Sequence, residues 1–163
     1  ELSQDGAIYI GDIIIVPEGV QPSPAKAIAQ PATPLGDSYF ICPTASCRTS
    51  QGLHWYNAID FSGNCGDSVR AAAQGQILKV AQTSSVSRHA FGGAGNHMTI
   101  LHPNGVATMY GHISTSLVSQ GQQVSQGQLI ALMGGQPGTA GAGMSTGCHV
   151  HFGVTGARNP FNR

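Results

Sequence analysis

The chain has 163 residues, enough for one ordinary domain with its own core. Seven Lys plus Arg balance seven Asp plus Glu, and only 9% of residues are charged, so neither a basic patch for nucleic acid nor a polybasic run for an anionic membrane is present. A 40% hydrophobic share at zero net charge excludes a disordered chain, and no apolar run approaches the roughly 20 residues that span a bilayer.

Residues 1–17 form a small unit, in which Ile8-Tyr9-Ile10-Gly11-Asp12 and Ile13 to Val16 are β-branched and strand-like, ended by Pro17. The chain opens on Glu1 rather than Met, the mark expected of a trimmed product whose signal sequence is gone. Residues 18–36 carry Pro22, Pro24, Pro31 and Pro34 among Ala and Gln, which reads as a semi-rigid polyproline-like spacer. The main domain is expected from 37 to 163.

Within that domain no long helical period occurs, and short apolar runs alternate with turn signals instead. Ala58 to Phe61 is one run. Val69 to Ala73 and Gly75 to Ala81 read as a pair around a glycine turn. His97 to Leu101 and Val106 to Tyr110 flank His102-Pro103-Asn104-Gly105, a strong hairpin signal. Val124 to Met133 and His149 to Val154 complete the set. The fold class expected is all-β: a compact antiparallel sandwich or barrel-like domain with few or no helices. Ser119-Gln120-Gly121-Gln122 returns as Ser125-Gln126-Gly127-Gln128, two similar turns bracketing a strand rather than a solenoid. Gly134 to Gly147 is a glycine-rich loop with no phosphate-binding motif, expected to be a mobile wall beside His149.

Cys42, Cys47, Cys65 and Cys148 include no C-x-x-C pair, which argues against a zinc knuckle and for disulfides in an oxidising compartment. Three pairings exist. A local bridge between Cys42 and Cys47 would leave Cys65 and Cys148 to tie the loop after Asp60 to the strand carrying His149. Four free buried thiols are the alternative.

His149-Val150-His151 carries the most chemistry. Side chains alternate along a strand, so both imidazoles face one way, about 7 Å apart. Such a pair either shares a metal, or one member holds the ion while the other works on a substrate. Catalytic zinc takes three protein ligands and leaves a fourth position to water. The candidates are His54, Asp60 and His151. Asp60 sits among apolar neighbours, where a lone carboxylate is costly unless paired or metal-bound. His112 ends Met109-Tyr110-Gly111-His112 and is a candidate general base. His102 is read as a surface residue at the hairpin turn, His89 as a loop residue, and His97 as lacking a partner.

Taken together, Asn57-Ala58-Ile59-Asp60, Tyr110-Gly111-His112 and His149-Val150-His151 resemble the lysostaphin-like, LytM-type zinc endopeptidases of peptidoglycan. Val69-Arg70-Ala71-Ala72-Ala73-Gln74-Gly75, Gly95-Asn96-His97, the two Gln-Gly turns and Ser145-Thr146-Gly147 extend the likeness from about residue 37 to the end. The resemblance implies a grooved antiparallel β fold with one zinc ion. It implies His54, Asp60 and His151 as ligands, with His112 and His149 flanking the activated water; Tyr110, two residues before His112, is a further candidate oxyanion donor. It also makes residues 1–17 similar to the end of a glycan-binding LysM module.

One departure stands out. The family places its first histidine four residues before the Asp, where this chain has Tyr56; His54 lies six before, so either a two-residue bulge brings His54 to the metal, or Tyr56 ligates weakly in its place, or the site is incomplete. Hydrolysis of peptidoglycan peptides outside the cell or in its envelope is the activity the likeness implies. The rival is a degenerate module that binds cell wall or activates amidases.

Overall fold

The computed structural model describes residues 39–162, so the expectations for residues 1–17, for the spacer at 18–36 and for a domain start near Asp37 lie outside the described residues. Among the described residues there are ten strands and only two short 3-10 turns, at Trp55–Asn57 and Ala90–Gly93. The strands are β1 (Thr49–His54), β2 (Ala58–Ser62), β3 (Ser68–Arg70), β4 (Gly75–Ala81), β5 (His97–Leu101), β6 (Ala107–Gly111), β7 (Ile113–Ser116), β8 (Gln123–Val124), β9 (Leu129–Met133) and β10 (His149–Thr155). No described helix is long and apolar enough to cross a membrane.

The larger sheet has the order β1-β2-β10-β6-β5-β4-β8, and the smaller has β3-β9-β7; every pairing is antiparallel. The all-β expectation therefore holds. Alternation explains why these runs are strands. On β10, Val150, Phe152 and Val154 enter the core, while His149, His151 and Thr155 take the other face. Ile59 and Phe61 of β2 and Tyr110 of β6 join them from neighbouring strands, and Ile130, Ala131 and Met133 of β9 close the core from the smaller sheet. Phe152 lies at its centre, fully buried, with ring centroids 5.3 Å from Tyr110 and 6.1 Å from Phe61. Burying such a ring contributes about 1.5–3 kcal/mol. The last strand in sequence is thus an interior strand of the sheet, between β2 and β6, which is why residues from both ends of the domain meet there.

The hairpin at Pro103-Asn104-Gly105 forms. His102 N–H donates to the Val106 carbonyl, Gly105 N–H donates to the His102 carbonyl, and Gly105 takes a left-handed φ of 80°. The two Gln-Gly turns also form, and they share one design. In each, the serine N–H bonds the glutamine side-chain oxygen three residues on, and the glutamine N–H returns to the serine carbonyl. They bracket β8 and separate it from β9.

Three expectations need correction. Val69–Ala73 and Gly75–Ala81 are not partners: β3 pairs with β9, while β4 pairs with β5 and β8. Ala71 to Ala73 is a buried crossover between the sheets. A Cβ on Gly75 would collide with the Leu101 carbonyl, so this glycine marks close strand approach rather than a turn. His102 is not at the surface but 2% exposed, with Nδ1 2.7 Å from the Gln74 carbonyl and Nε2 2.8 Å from Thr108 Oγ1. The Gly134–Gly147 loop does form a wall, but it is pinned: Gly141 N–H donates to Ser85, Met144 N–H to Gly93, and the Gly141 carbonyl accepts from Asn96.

Both expected disulfides are present, Cys42–Cys47 and Cys65–Cys148, with Cα separations of 5.7 and 5.2 Å. The second joins the loop after β2 to the residue before His149.

Candidate active site

Four adjacent strands of the larger sheet, β1, β2, β10 and β6, build the site. Asp60 on β2 is the register partner of His151 on β10, and His151 is in turn the partner of Gly111 on β6. A Cβ on Gly111 would sit 3.2 Å from the His151 Cβ, so glycine there leaves that side chain its room. The chain leaves the large sheet at His112, whose φ of 57° is left-handed, and enters β7 of the small one.

His54 arrives from the end of β1. A register shift between Gln51 and His54, then the 3-10 turn Trp55–Asn57, separate it from β2. Asn57, also left-handed at φ 57°, fastens this turn by donating from Nδ2 to the carbonyls of Val154 and Ala157. The result brings His54 Nε2 to 3.3 Å from Asp60 Oδ1 and 3.1 Å from His151 Nδ1; His151 Nδ1 is 2.9 Å from Asp60 Oδ1. The side chain of Tyr56, the other candidate for the first position, lies outside the described residues.

These three atoms fit a small divalent cation. Zinc bonds of about 2.0–2.1 Å at tetrahedral angles put neighbouring ligand atoms roughly 3.3 Å apart, close to the observed 2.9–3.3 Å. The hydrogen bonding agrees. His54 Nδ1 is 2.8 Å from the Gly52 carbonyl, which requires the proton on Nδ1 and leaves Nε2 a bare lone pair. At most one proton, on His151 Nδ1, then lies among three acceptor atoms in neutral imidazoles. A cation satisfies all three where a proton cannot.

Two further imidazoles border this cluster. His149 Nε2 is 3.5 Å from Asp60 Oδ2, and its Nδ1 faces the Gly147 carbonyl at 2.9 Å and Ser145 Oγ at 3.2 Å. His112 Nδ1 donates to the Ala142 carbonyl over 2.8 Å, and its ring centroid is 4.6 Å from that of His149. In both rings the bonded Nδ1 leaves Nε2 free to accept or give a proton.

Electrostatics follow from burial. Burial alone would raise the Asp60 pKa, but the His151 hydrogen bond and the nearby His149, His151 and His54 together hold it below the ordinary carboxylate value. Burial, reinforced by His149, pushes His112 down to about 4, so this ring is neutral at pH 7.

Tyr110 requires correction as an oxyanion donor. It is fully buried on the core side of β6, where its hydroxyl accepts from the Ala72 N–H at 2.8 Å and lies 3.1 Å from Thr108 Oγ1. Strand alternation sends Met109 and Gly111 toward His151 and Tyr110 away from it. His97, read as lacking a partner, is buried with Nδ1 2.9 Å from the Gly95 carbonyl. His89 is exposed on its loop, as expected.

A groove of about 770 Å³ opens over the five polar groups. Trp55, 72% exposed, stands on one rim, and Phe91, Met144, Met109 and Arg88 line the rest with His97. Trp55, Arg88 and Ser145 were not singled out from sequence. Only the Ser145-Thr146-Gly147 run pointed to one of them.

Comparison with known proteins agrees with this geometry. The profile of Peptidase family M23 matches residues 54–163. The peptidoglycan DD-endopeptidase ShyA of Vibrio cholerae is 33% identical over 107 residues, 66% of this chain and 22% of that protein, so the chain spans about a fifth of that relative's length. A zinc containing peptidase from Vibrio cholerae superposes with a TM-score of 0.51 at 30% identity, over 66% of this chain and 32% of the other. The catalytic domain of lysostaphin from Staphylococcus simulans shares the fold at a TM-score of 0.56 and 24% identity, over 72% of this chain and 86% of that domain.

Proposed function

The chain belongs to peptidase family M23, and on that premise we propose that it is a zinc-dependent endopeptidase hydrolysing amide bonds in peptidoglycan peptides of the cell envelope. The observation that carries this reading is the convergence of His54 Nε2, Asp60 Oδ1 and His151 Nδ1 within 3.3 Å of one another at the floor of a groove. The names of the ShyA relative and of the Vibrio zinc peptidase support the substrate class and the metal.

In this reading His54, Asp60 and His151 hold one zinc ion, which, when bound, lowers the pKa of water toward about 7 and polarises a carbonyl. The chain's own groups do the rest. The Gly52 carbonyl fixes the His54 tautomer so that Nε2 faces inward. The Gly147 and Ala142 carbonyls do the same for His149 and His112, leaving each Nε2 to take a proton from the attacking water or return one to the departing amine. His112 is held neutral at pH 7 by its burial, which leaves its Nε2 lone pair open. The degenerate binding-module reading is not favoured, because a module freed from catalysis has no need to keep five titratable side chains converged.

The test is hydrolysis of purified peptidoglycan by the zinc-loaded chain, with new amino termini identified by mass spectrometry. Chelator-sensitive release of peptides, lost in His151→Ala, is expected. Binding without any new amine would overturn the enzyme reading.

A further inference from the structure

Among the described residues, Arg88 is the one Lys or Arg lining the groove, and Asp60 is the one carboxylate residue there. Asp60 is taken: three histidine nitrogens lie within 3.5 Å of its oxygens. Arg88 is not. Among the described residues its guanidinium has no ion pair and no hydrogen bond within the fold, and Arg88 lines the groove over the site.

The segment carrying Arg88 is nevertheless held in place. Ser85 N–H bonds Thr83 Oγ1, Ser87 N–H bonds Ser85 Oγ and His89 N–H bonds Ser87 Oγ, at 3.1–3.2 Å. Thr83 N–H donates to the side chain of buried Asn96 at 2.8 Å, and the Ser85 carbonyl accepts from Gly141 at 2.8 Å. A pinned backbone thus holds Arg88, whose cation is unpaired among the described residues, at a groove also lined by Trp55, Phe91, Met109 and Met144. Such apolar walls exclude water once a ligand enters, which strengthens a charged pair, and a guanidinium fork matches a carboxylate.

We propose that Arg88 is a specificity-determining residue that pairs with a free carboxylate carried by the substrate peptide. This rests on the endopeptidase reading above and narrows it: amide bonds in peptides that keep such a carboxylate are preferred over the same peptides amidated.

The chain has a single tryptophan, Trp55, on the groove rim, so its fluorescence reports binding directly. The probes are acetyl-Lys-D-Ala-D-Ala and its C-terminal amide, titrated into the zinc-loaded chain. At least tenfold tighter binding of the acid is expected. Arg88→Gln should abolish that preference, and Arg88→Lys should keep part of it. Because Arg88 is exposed and its side chain makes no hydrogen bond or ion pair among the described residues, both variants are expected to fold. Equal affinity for acid and amide in the wild type, or a preference that survives Arg88→Gln, overturns the proposal. The two readings fail separately: hydrolysis of peptidoglycan with no acid preference contradicts this inference alone, whereas acid preference without any hydrolysis contradicts the endopeptidase reading.

Discussion

Asp60 and His151 lie 91 residues apart in sequence, yet they are direct cross-strand partners on β2 and β10, with Oδ1 2.9 Å from Nδ1. Their side chains meet because both occupy the groove face of strands whose other faces bury Phe61 and Phe152. Core packing and site geometry are therefore two sides of the same register. A slip of one residue in either strand would turn its ligand inward and its aromatic ring outward.

Removing a member of the cluster should remove the metal. In His151→Ala, zinc content after purification is expected to fall from one ion per chain to near zero, with activity down by more than a hundredfold, since even groups that merely orient ligands are worth 10–100-fold. Emission spectrometry and assay of the zinc-loaded proteins measure the two effects. Full zinc content in the variant would contradict the ligand assignment.

His112 should behave differently. Asparagine tolerates the left-handed backbone at this position, so His112→Asn tests the ring without straining the chain. Loss of kcat by roughly 10²–10⁴-fold is expected with zinc content retained. A kcat within threefold of wild type would remove His112 from the proton chemistry.

The two disulfides should differ in worth. Chain entropy assigns about 4–5 kcal/mol to a bridge closing a loop as long as Cys65–Cys148, whose sequence separation is 83, and about 2 kcal/mol to Cys42–Cys47, whose separation is 5. Denaturant midpoints of the paired serine variants measure this, and a larger loss from Cys42–Cys47 would contradict it.

Acid should destabilise the fold before carboxylates are protonated. Burial lowers the pKa of His102, against the Gln74 hydrogen bond, and pushes His112 to about 4; His97 is lowered as well, chiefly by burial. For each, the unfolded chain takes up a proton near pH 6.5 that the folded chain refuses. Their contribution is thus complete above about pH 6.5 and is lost as pH falls toward the folded values, near 4 for His112. Urea midpoints of the metal-free chain should drop between pH 7 and 4.5. His102→Gln should flatten part of that slope; an unchanged slope would contradict the role given to His102.

Much of this was legible in the sequence. Period-two alternation exposes β2, β5, β6 and β10, and two imidazoles on one strand face declare a site. What escaped was set by tertiary placement. His102 follows a strand and precedes a turn, which reads as surface, but the Ala71–Gln74 crossover folds over it. Tyr110 is two residues from His112 and in one dimension reads as part of its site, while alternation and the sheet change at His112 send the two apart. Arg88 and Trp55 sit on loops with no periodic signal, and only the folded groove gives them meaning.

The most direct test is a crystal structure of the zinc-loaded chain, with data at the zinc absorption edge. The result expected is one ion bonded to His54 Nε2, an Asp60 oxygen and His151 Nδ1 at about 2.0–2.2 Å. Zinc bound to Tyr56 in place of His54, or absent from this cluster while bound elsewhere, would contradict the assignment on which the proposed chemistry stands.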